Sequence, residues 1–389
     1  MSPLESLRRI LTWLCVYPGE GINSECRRIV FISCVFILNF IALVGSIAYF
    51  LRFLSTNLEL SLYALYQITA MLPFDVTIVV AFSMQNKIEC IFRKLEDICS
   101  EYGNGKLSGF LEHANNKSEL FWRIFFKYVM IGYFISLTLE ATIPVLSNWS
   151  TEESFNAEYL YNAYRLVLPW NQTTPLGYFG EMCFVQIFAQ CYLIFNGAVI
   201  ILFISLSWYH QAFYKMFYHS MQQFGDPERG QYDKEILCNL ICFHTKIKDC
   251  FLISNQFYSL ITFVQVLFTI FSLACGIFQF DLHMIRSDYI GSVFFLVESI
   301  ACLSIVFCFC YNGQITSECF GRLSDCFYHN NWPNAPIELQ KYIKIMIMNA
   351  QTPIYYQGCG IVVMNLETFR KTLRNVYTYV MLFKTMTPN

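Results

Sequence analysis

Seven stretches of the chain are apolar enough, over about 20 residues each, to cross a membrane as helices: about 29–51, 58–84, 124–147, 176–208, 251–280, 289–311 and 361–386. Between them, apolar positions recur at helical steps among charges. Ile88, Ile91, Leu95 and Ile98 form one such stripe, Ile236, Leu240, Ile247 and Phe251 a second, and Ile337, Ile343 and Ile347 a weaker third. Such stripes need partners, so the second and fourth spans are expected to run on beyond the membrane and bundle with a helix at 336–350. The alternative is a set of solvated amphipathic linkers. Near the N-terminus, Leu4, Leu7, Leu11 and Leu14 share a helical face that lies on the membrane or packs on these inner helices. That stretch imitates a signal peptide, but its apolar run is short, ends in Pro18-Gly19-Glu20 and lacks a small-residue cleavage site.

The last span is the least regular. Pro353 and the 358–360 region are expected to break it from the helix before, and Glu367, Arg370, Lys371 and Arg374 hold its first part at a membrane surface. Beyond them Asn375, Thr378, Leu382 and Thr385 follow at steps of 3, 4 and 3, a polar stripe broken by one bulky apolar residue. Two readings stay open: an ordinary packed helix, or, repeated around an axis, a wet conduit with an apolar constriction.

Composition supports a polytopic membrane protein rather than soluble domains: 389 residues, 56% hydrophobic and only 14% charged. A net charge of -2 gives nucleic acid no basic surface. Lys and Arg set the orientation. Twenty-one fall in the N-terminus, the even-numbered connections and the 370–374 region, against four (Arg52, Arg165, Arg286, Lys384) on the other side. The positive-inside rule then makes the N-terminus cytoplasmic and the C-terminus extracellular. The sequons at Asn148 and Asn171 fall outside and a third, at Asn116, inside.

None of the 17 cysteines lies in the outer connections 52–57, 148–175 or 281–288, so no disulfide framework is expected there. That, with the orientation, argues against a metabotropic seven-helix receptor. No histidine falls within a span, and no phosphate loop, zinc motif or nucleophile elbow is present. No cofactor, metal or enzymatic activity is expected. The intramembrane acids Asp75, Glu140, Glu181 and Glu298 are functional candidates. They either line a wet cavity that attracts cations or sit protonated among groups such as Gln67, Gln186 and Asn196.

The segment Gln351-Thr352-Pro353, then Gly358, Leu366-Glu367-Thr368-Phe369 and Tyr377-Thr378-Tyr379 resembles the C-terminal signature of insect odorant receptors. The sister family of gustatory receptors has Thr-Tyr, five apolar residues and Gln-Phe here. This chain has Thr378-Tyr379, then Val380 to Lys384, then Thr385-Met386, which departs from that pattern. The resemblance implies an all-α, seven-span subunit (1–389) with a helical cytoplasmic anchor region (312–360). It also implies an odorant-gated cation channel in the plasma membrane of olfactory sensory neurons, in a heterotetramer with the co-receptor Orco. The short connection between spans 4 and 5 points to the tuning subunit. A gustatory receptor channel is the runner-up.

The resemblance places the odorant in the outer halves of spans 2, 3, 4 and 6. Helical spacing there gives the faces Tyr63, Tyr66 and Gln67; Ile135, Thr138 and Thr142; Phe184, Phe188 and Cys191; and Phe294 with Val297. Core packing is the competing reading of each. By the same resemblance Asn375, Thr378, Leu382, Thr385 and Met386 line the pore, with Leu382 at the apolar gate.

Overall fold

The computed structural model of the chain describes residues 8–9, 11–12, 22–103, 105–129, 131–132, 134–135, 138, 166–171, 174–224, 234–330 and 332–386. The described residues form a helical bundle, and the inner and outer ends named below follow the charge asymmetry of the sequence. The main elements are α1 (Ile22–Phe53), α2 (Leu58–Ser83), α3 (Gln85–Tyr102), α4 (Ser108–Ile124), α5 (Pro175–Gln223), α6 (Lys234–Ile285), α7 (Tyr289–Tyr328) and α8 (Ile337–Ala350). A two-stranded hairpin follows, β1 (Gln357–Gly358) and β2 (Val362–Val363), and then the last helix, α9 (Leu366–Met386). Five helices, over α1, α2, α5, α6 and α7, are long and apolar enough to cross a membrane among the described residues. The expected span at 124–147 is described only in part.

Three helices are far longer than a bilayer requires: α5 has 49 residues, α6 52 and α7 40. At 1.5 Å per residue α6 is about 78 Å long, more than twice a hydrocarbon core of about 30 Å. Their inner ends, with α3 and α8, make a bundle of the expected kind, except that the second span does not run on. It ends at Ser83, and α3 starts afresh at Gln85 after Met84, while α6 and α7 extend inward as well as the fourth span. Ile88, Ile91, Leu95 and Ile98 are all fully buried there, with Leu240, Ile247, Phe251 and Ile343. Leu11, the described member of the N-terminal stripe, is buried in the same core, and Arg8 lies 3.7 Å from Glu96 of α3. Two stripe positions differ from expectation. Ile236 and Ile337 are exposed, and Leu237 and Leu339 take the buried places; both exposed residues lie in the first turn of their helix, before packing begins. Lys94–Asp249 and Lys234–Glu338 pairs, at 3.4 and 2.7 Å, tie α6 to α3 and α8 across the solvated rim.

The central helix is α6, which packs against α2, α3, α5, α7, α9 and β1. Its aromatic centre is Tyr258, whose hydroxyl donates to the Val199 carbonyl at 2.9 Å and whose ring meets Phe203 at 4.8 Å. Tyr356, on the approach to the hairpin, inserts beside Phe203 and Phe251 at 4.7 and 4.6 Å.

Expectation and structure part at 361–365. The apolar run predicts a span from 361, but Val362 and Val363 pair with β1 and the helix begins at Leu366. The turn places Cys359 and Gly360 in the left-handed region, at φ 52° and 71°, which stops a helix and favours a tight hairpin. Gly358 lies so close to α6 that a Cβ would sit 2.9 Å from the Phe263 backbone. Asn255 and Ser259 of α6 accept from the hairpin amides of Gln357 and Cys359 at 2.8 and 2.9 Å. The Asn365 side chain then caps α9 by accepting from Thr368 N at 2.8 Å.

Candidate functional site

The outer half of the bundle has its own core, separate from the inner one. Tyr63, Tyr66, Phe188 and Phe294 are buried in it together, with Phe184 packed against its edge. Its centre is Phe295, a residue the spacing argument passed over. The Phe295 ring meets Tyr63 at 5.6 Å and Tyr66 at 5.4 Å, both edge-on, and Phe294 at 5.4 Å. Such tilted pairs are the preferred geometry of aromatic quadrupoles. Val297 faces outward at 43% exposure, so the face α7 presents is Phe294, Phe295 and Ser299. Gln67 is fully buried. Cys191 packs half-buried on the inner core instead. On the third span Ile135 is exposed and the Thr138 hydroxyl donates to its own helix, at Phe134 O, 2.7 Å; Thr142 lies outside the described residues.

This cluster owes its closeness to one small residue. Gly276 of α6 lets α7 and Tyr66 approach, since a Cβ there would stand 2.9 Å from Ser299 Oγ and 3.2 Å from the Tyr66 ring. Ser299 Oγ, Gln186 Nε2 and Gln190 Nε2 are buried without a hydrogen-bond partner. Buried polar atoms are normally satisfied, so a mostly aromatic cluster with the unspent Ser299 hydroxyl beside Tyr66 can orient a small molecule by a hydrogen bond. Above the cluster, His283 packs on Phe295 at 5.2 Å and bonds Asp288 at 2.8 Å, while Asp288 caps α7 by accepting from Gly291 N at 3.1 Å. Leu166 and Leu168 cover its side, anchored by Val167 N donating to Gly45 O at 3.3 Å. Asn171, the described one of the two outer sequon asparagines, is exposed; Asn148 lies outside the described residues.

Of the intramembrane acids, Asp75 accepts from the Asn39 side chain of α1, a partner that no spacing within one helix reveals. Asp75 Oδ2 and Asn39 Oδ1 remain without partners. Glu181 is buried, Glu298 is half-buried, and Glu140 lies outside the described residues.

In α9 one face is packed and the other is bare. Thr372, Val376 and Val380 are buried, Val376 and Val380 against Leu273 and Ala274 of α6. Asn375, Thr378, Leu382, Thr385 and Met386 are all exposed, Leu382 at 48%. Phe383, between the two faces, touches the outer aromatic core: its ring lies 6.1 Å from Phe278, which shares that core with Tyr63, Tyr66 and Phe295.

A sequence model of the family described as 7tm Odorant receptor matches residues 57–377, most of the chain. The chain belongs to this family of insect odorant receptors. It is similar to Odorant receptor 63a of Drosophila melanogaster, 21% identical over 211 residues that cover 52% of this chain and 48% of that one. It is also similar to Odorant receptor 85f of the same fly, 26% identical over 81 residues, 21% of each chain. The matches thus span about half or less of those relatives. In fold it is similar to the insect olfactory receptor OR5 of Machilis hrabei, solved in complex with eugenol, with a TM-score of 0.81 at 15% identity over 99% of this chain and 98% of that one. A second structure of the same receptor gives a TM-score of 0.79 at 16% identity over 99% of this chain and 98% of that one. The receptor is therefore an all-α, multi-pass membrane protein.

Proposed function

We propose that this receptor is the odorant-binding subunit of a ligand-gated cation channel, assembled as a heterotetramer with the co-receptor Orco in the plasma membrane of olfactory sensory neurons. Its N-terminus is cytoplasmic and its C-terminus extracellular. A volatile small molecule binds among Tyr63, Tyr66, Phe188, Phe294 and Phe295, and α9 lines the pore. The observation that carries this reading is an inversion of surfaces. The bare face of α9, in the membrane, carries Asn375, Thr378 and Thr385; the two threonine hydroxyls donate back to Arg374 O and Leu382 O at 3.1 and 2.7 Å, and lipid would leave the Asn375 amide poorly solvated. The exposed face of α8, beyond the membrane, is apolar at Ile337, Tyr342, Ile345 and Met348, where water is expected. Neither face suits a lone subunit. Both suit a ring of subunits whose inner helices pack together and whose last helices surround a wet axis.

Leu382 is then the apolar ring residue of the polar stripe, and a closed ring of such side chains excludes water and raises a desolvation barrier for ions. Leu382→Ser is expected to raise basal current or shift activation to lower odorant concentration, in part only, because partner subunits keep their own gate residues. Normal surface expression with unchanged basal current, sensitivity and selectivity would overturn the pore assignment.

A further inference from the structure

We propose that Asp281 sets the ion conductance of the outer pore mouth by holding the Lys384 ammonium away from it. This rests on the channel reading above. Lys384 stands in the last turn of α9, next to Thr385 and Met386. At 100° per residue it lies roughly 140° round the helix from the middle of the stripe Asn375, Thr378, Leu382 and Thr385. Its Nζ pairs with the Asp281 carboxylate of α6, and both side chains are about half exposed.

A cation at the mouth of a cation channel repels the permeating ion. The pair removes that repulsion in two ways, by neutralising the charge and by turning the flexible stem toward α6. The other described cations assigned to the outer side are also held. Arg286 forms a two-pronged pair with Glu59 at 2.6 and 2.5 Å, and Arg52 lies 5.5 Å over the Phe53 ring. Lys384 is the one of these three carried by α9; its Cα faces away from the stripe, but once released its long stem is free to swing round the last turn toward the mouth. If the freed ammonium came within about one Debye length of the path, about 8 Å, it would deplete cations there about twofold per copy before screening.

The pair is exposed and contributes little to folding, so breaking it leaves assembly intact. The test is unitary current in outside-out patches from cells co-expressing the receptor and its co-receptor, activated by an odorant that opens the unaltered channel. Unitary amplitude does not depend on the number of channels at the surface. Asp281→Asn is expected to lower inward unitary cation conductance by about half at low ionic strength, less in high salt, and to shift the reversal potential in a NaCl gradient toward chloride. Asp281→Asn combined with Lys384→Gln is expected to restore both values, as is the exchanged pair Asp281→Lys with Lys384→Asp. Asp281→Asn with unaltered conductance and reversal potential would overturn the proposal, as would a loss that Lys384→Gln fails to reverse. Absence of odorant-gated cation current from the unaltered receptor would instead remove the channel reading itself.

Discussion

Gly276→Ala tests the ligand assignment with one methyl group. The added Cβ would stand 2.9 Å from Ser299 Oγ and 3.2 Å from the edge of the Tyr66 ring, so both must give way. Overpacking of this kind costs about 1–3 kcal/mol. A contact under 3.0 Å puts the cost in the upper part of that range, about 2–3 kcal/mol, and alanine's better helix propensity returns about 1 kcal/mol, which leaves a net strain of about 1–2 kcal/mol on the α2, α6 and α7 contact. If an odorant occupies the space beside Tyr66 and Ser299, that strain and the lost volume weaken it by about 5- to 30-fold. The assay is the odorant dose-response of the co-expressed channel, set against an agonist acting through the co-receptor, with surface labelling as a check. Gly276→Ala should shift the odorant response to higher concentration and leave the co-receptor agonist unmoved. Adding Ser299→Ala removes the nearest clash and should recover most of the shift. Gly321→Ala, in open space on α7, should do nothing. A Gly276→Ala response within twofold of the unaltered receptor, or an equal loss for both agonists, would refute the placement.

Two other outcomes follow. His244 is buried between Phe217 and Phe327 at 6.2 Å from each, and burial, aided by Lys248, lowers its pKa from 6.5 to about 4. The unfolded chain takes up that proton first, so the stabilisation is complete above pH 6.5 and fades as pH falls toward 4, by up to about 3 kcal/mol. Thermal unfolding of purified receptor should therefore shift downward between pH 7 and 5, and His244→Leu should flatten the dependence. Replacing Asn148 and Asn171 together should remove any glycan shift on a gel, with Asn116 bare throughout; a glycan on Asn116 would reverse the orientation.

The aqueous part of this fold was legible because charge marks its outer faces. Ile88, Ile91, Leu95 and Ile98 stand out among lysines and glutamates, and all four are buried. Within the membrane that contrast fails. Lipid-facing residues are as apolar as core residues, so on α7 nothing in the sequence ranks Val297, which faces out, below Phe295, which centres the outer core. The Asn39–Asp75 contact and the Gly276 approach join residues distant in sequence, beyond the reach of periodicity. The hairpin at 357–363 was masked by its own β-branched residues, since Ile361, Val362 and Val363 read as the start of an apolar span. The stripe on α9 was visible for another reason: Asn375, Thr378 and Thr385 recur at helical steps beside the apolar Val376, Val380 and Leu382.

The central claim is that odorant binding opens an ion path formed in part by this chain. It is tested most directly by voltage clamp of cells expressing the receptor with and without the co-receptor, exposed to a panel of volatiles while G-protein signalling is inhibited. A rapid cation current that needs both subunits, follows particular volatiles and survives the inhibitor is expected. A current abolished by the inhibitor would contradict the claim.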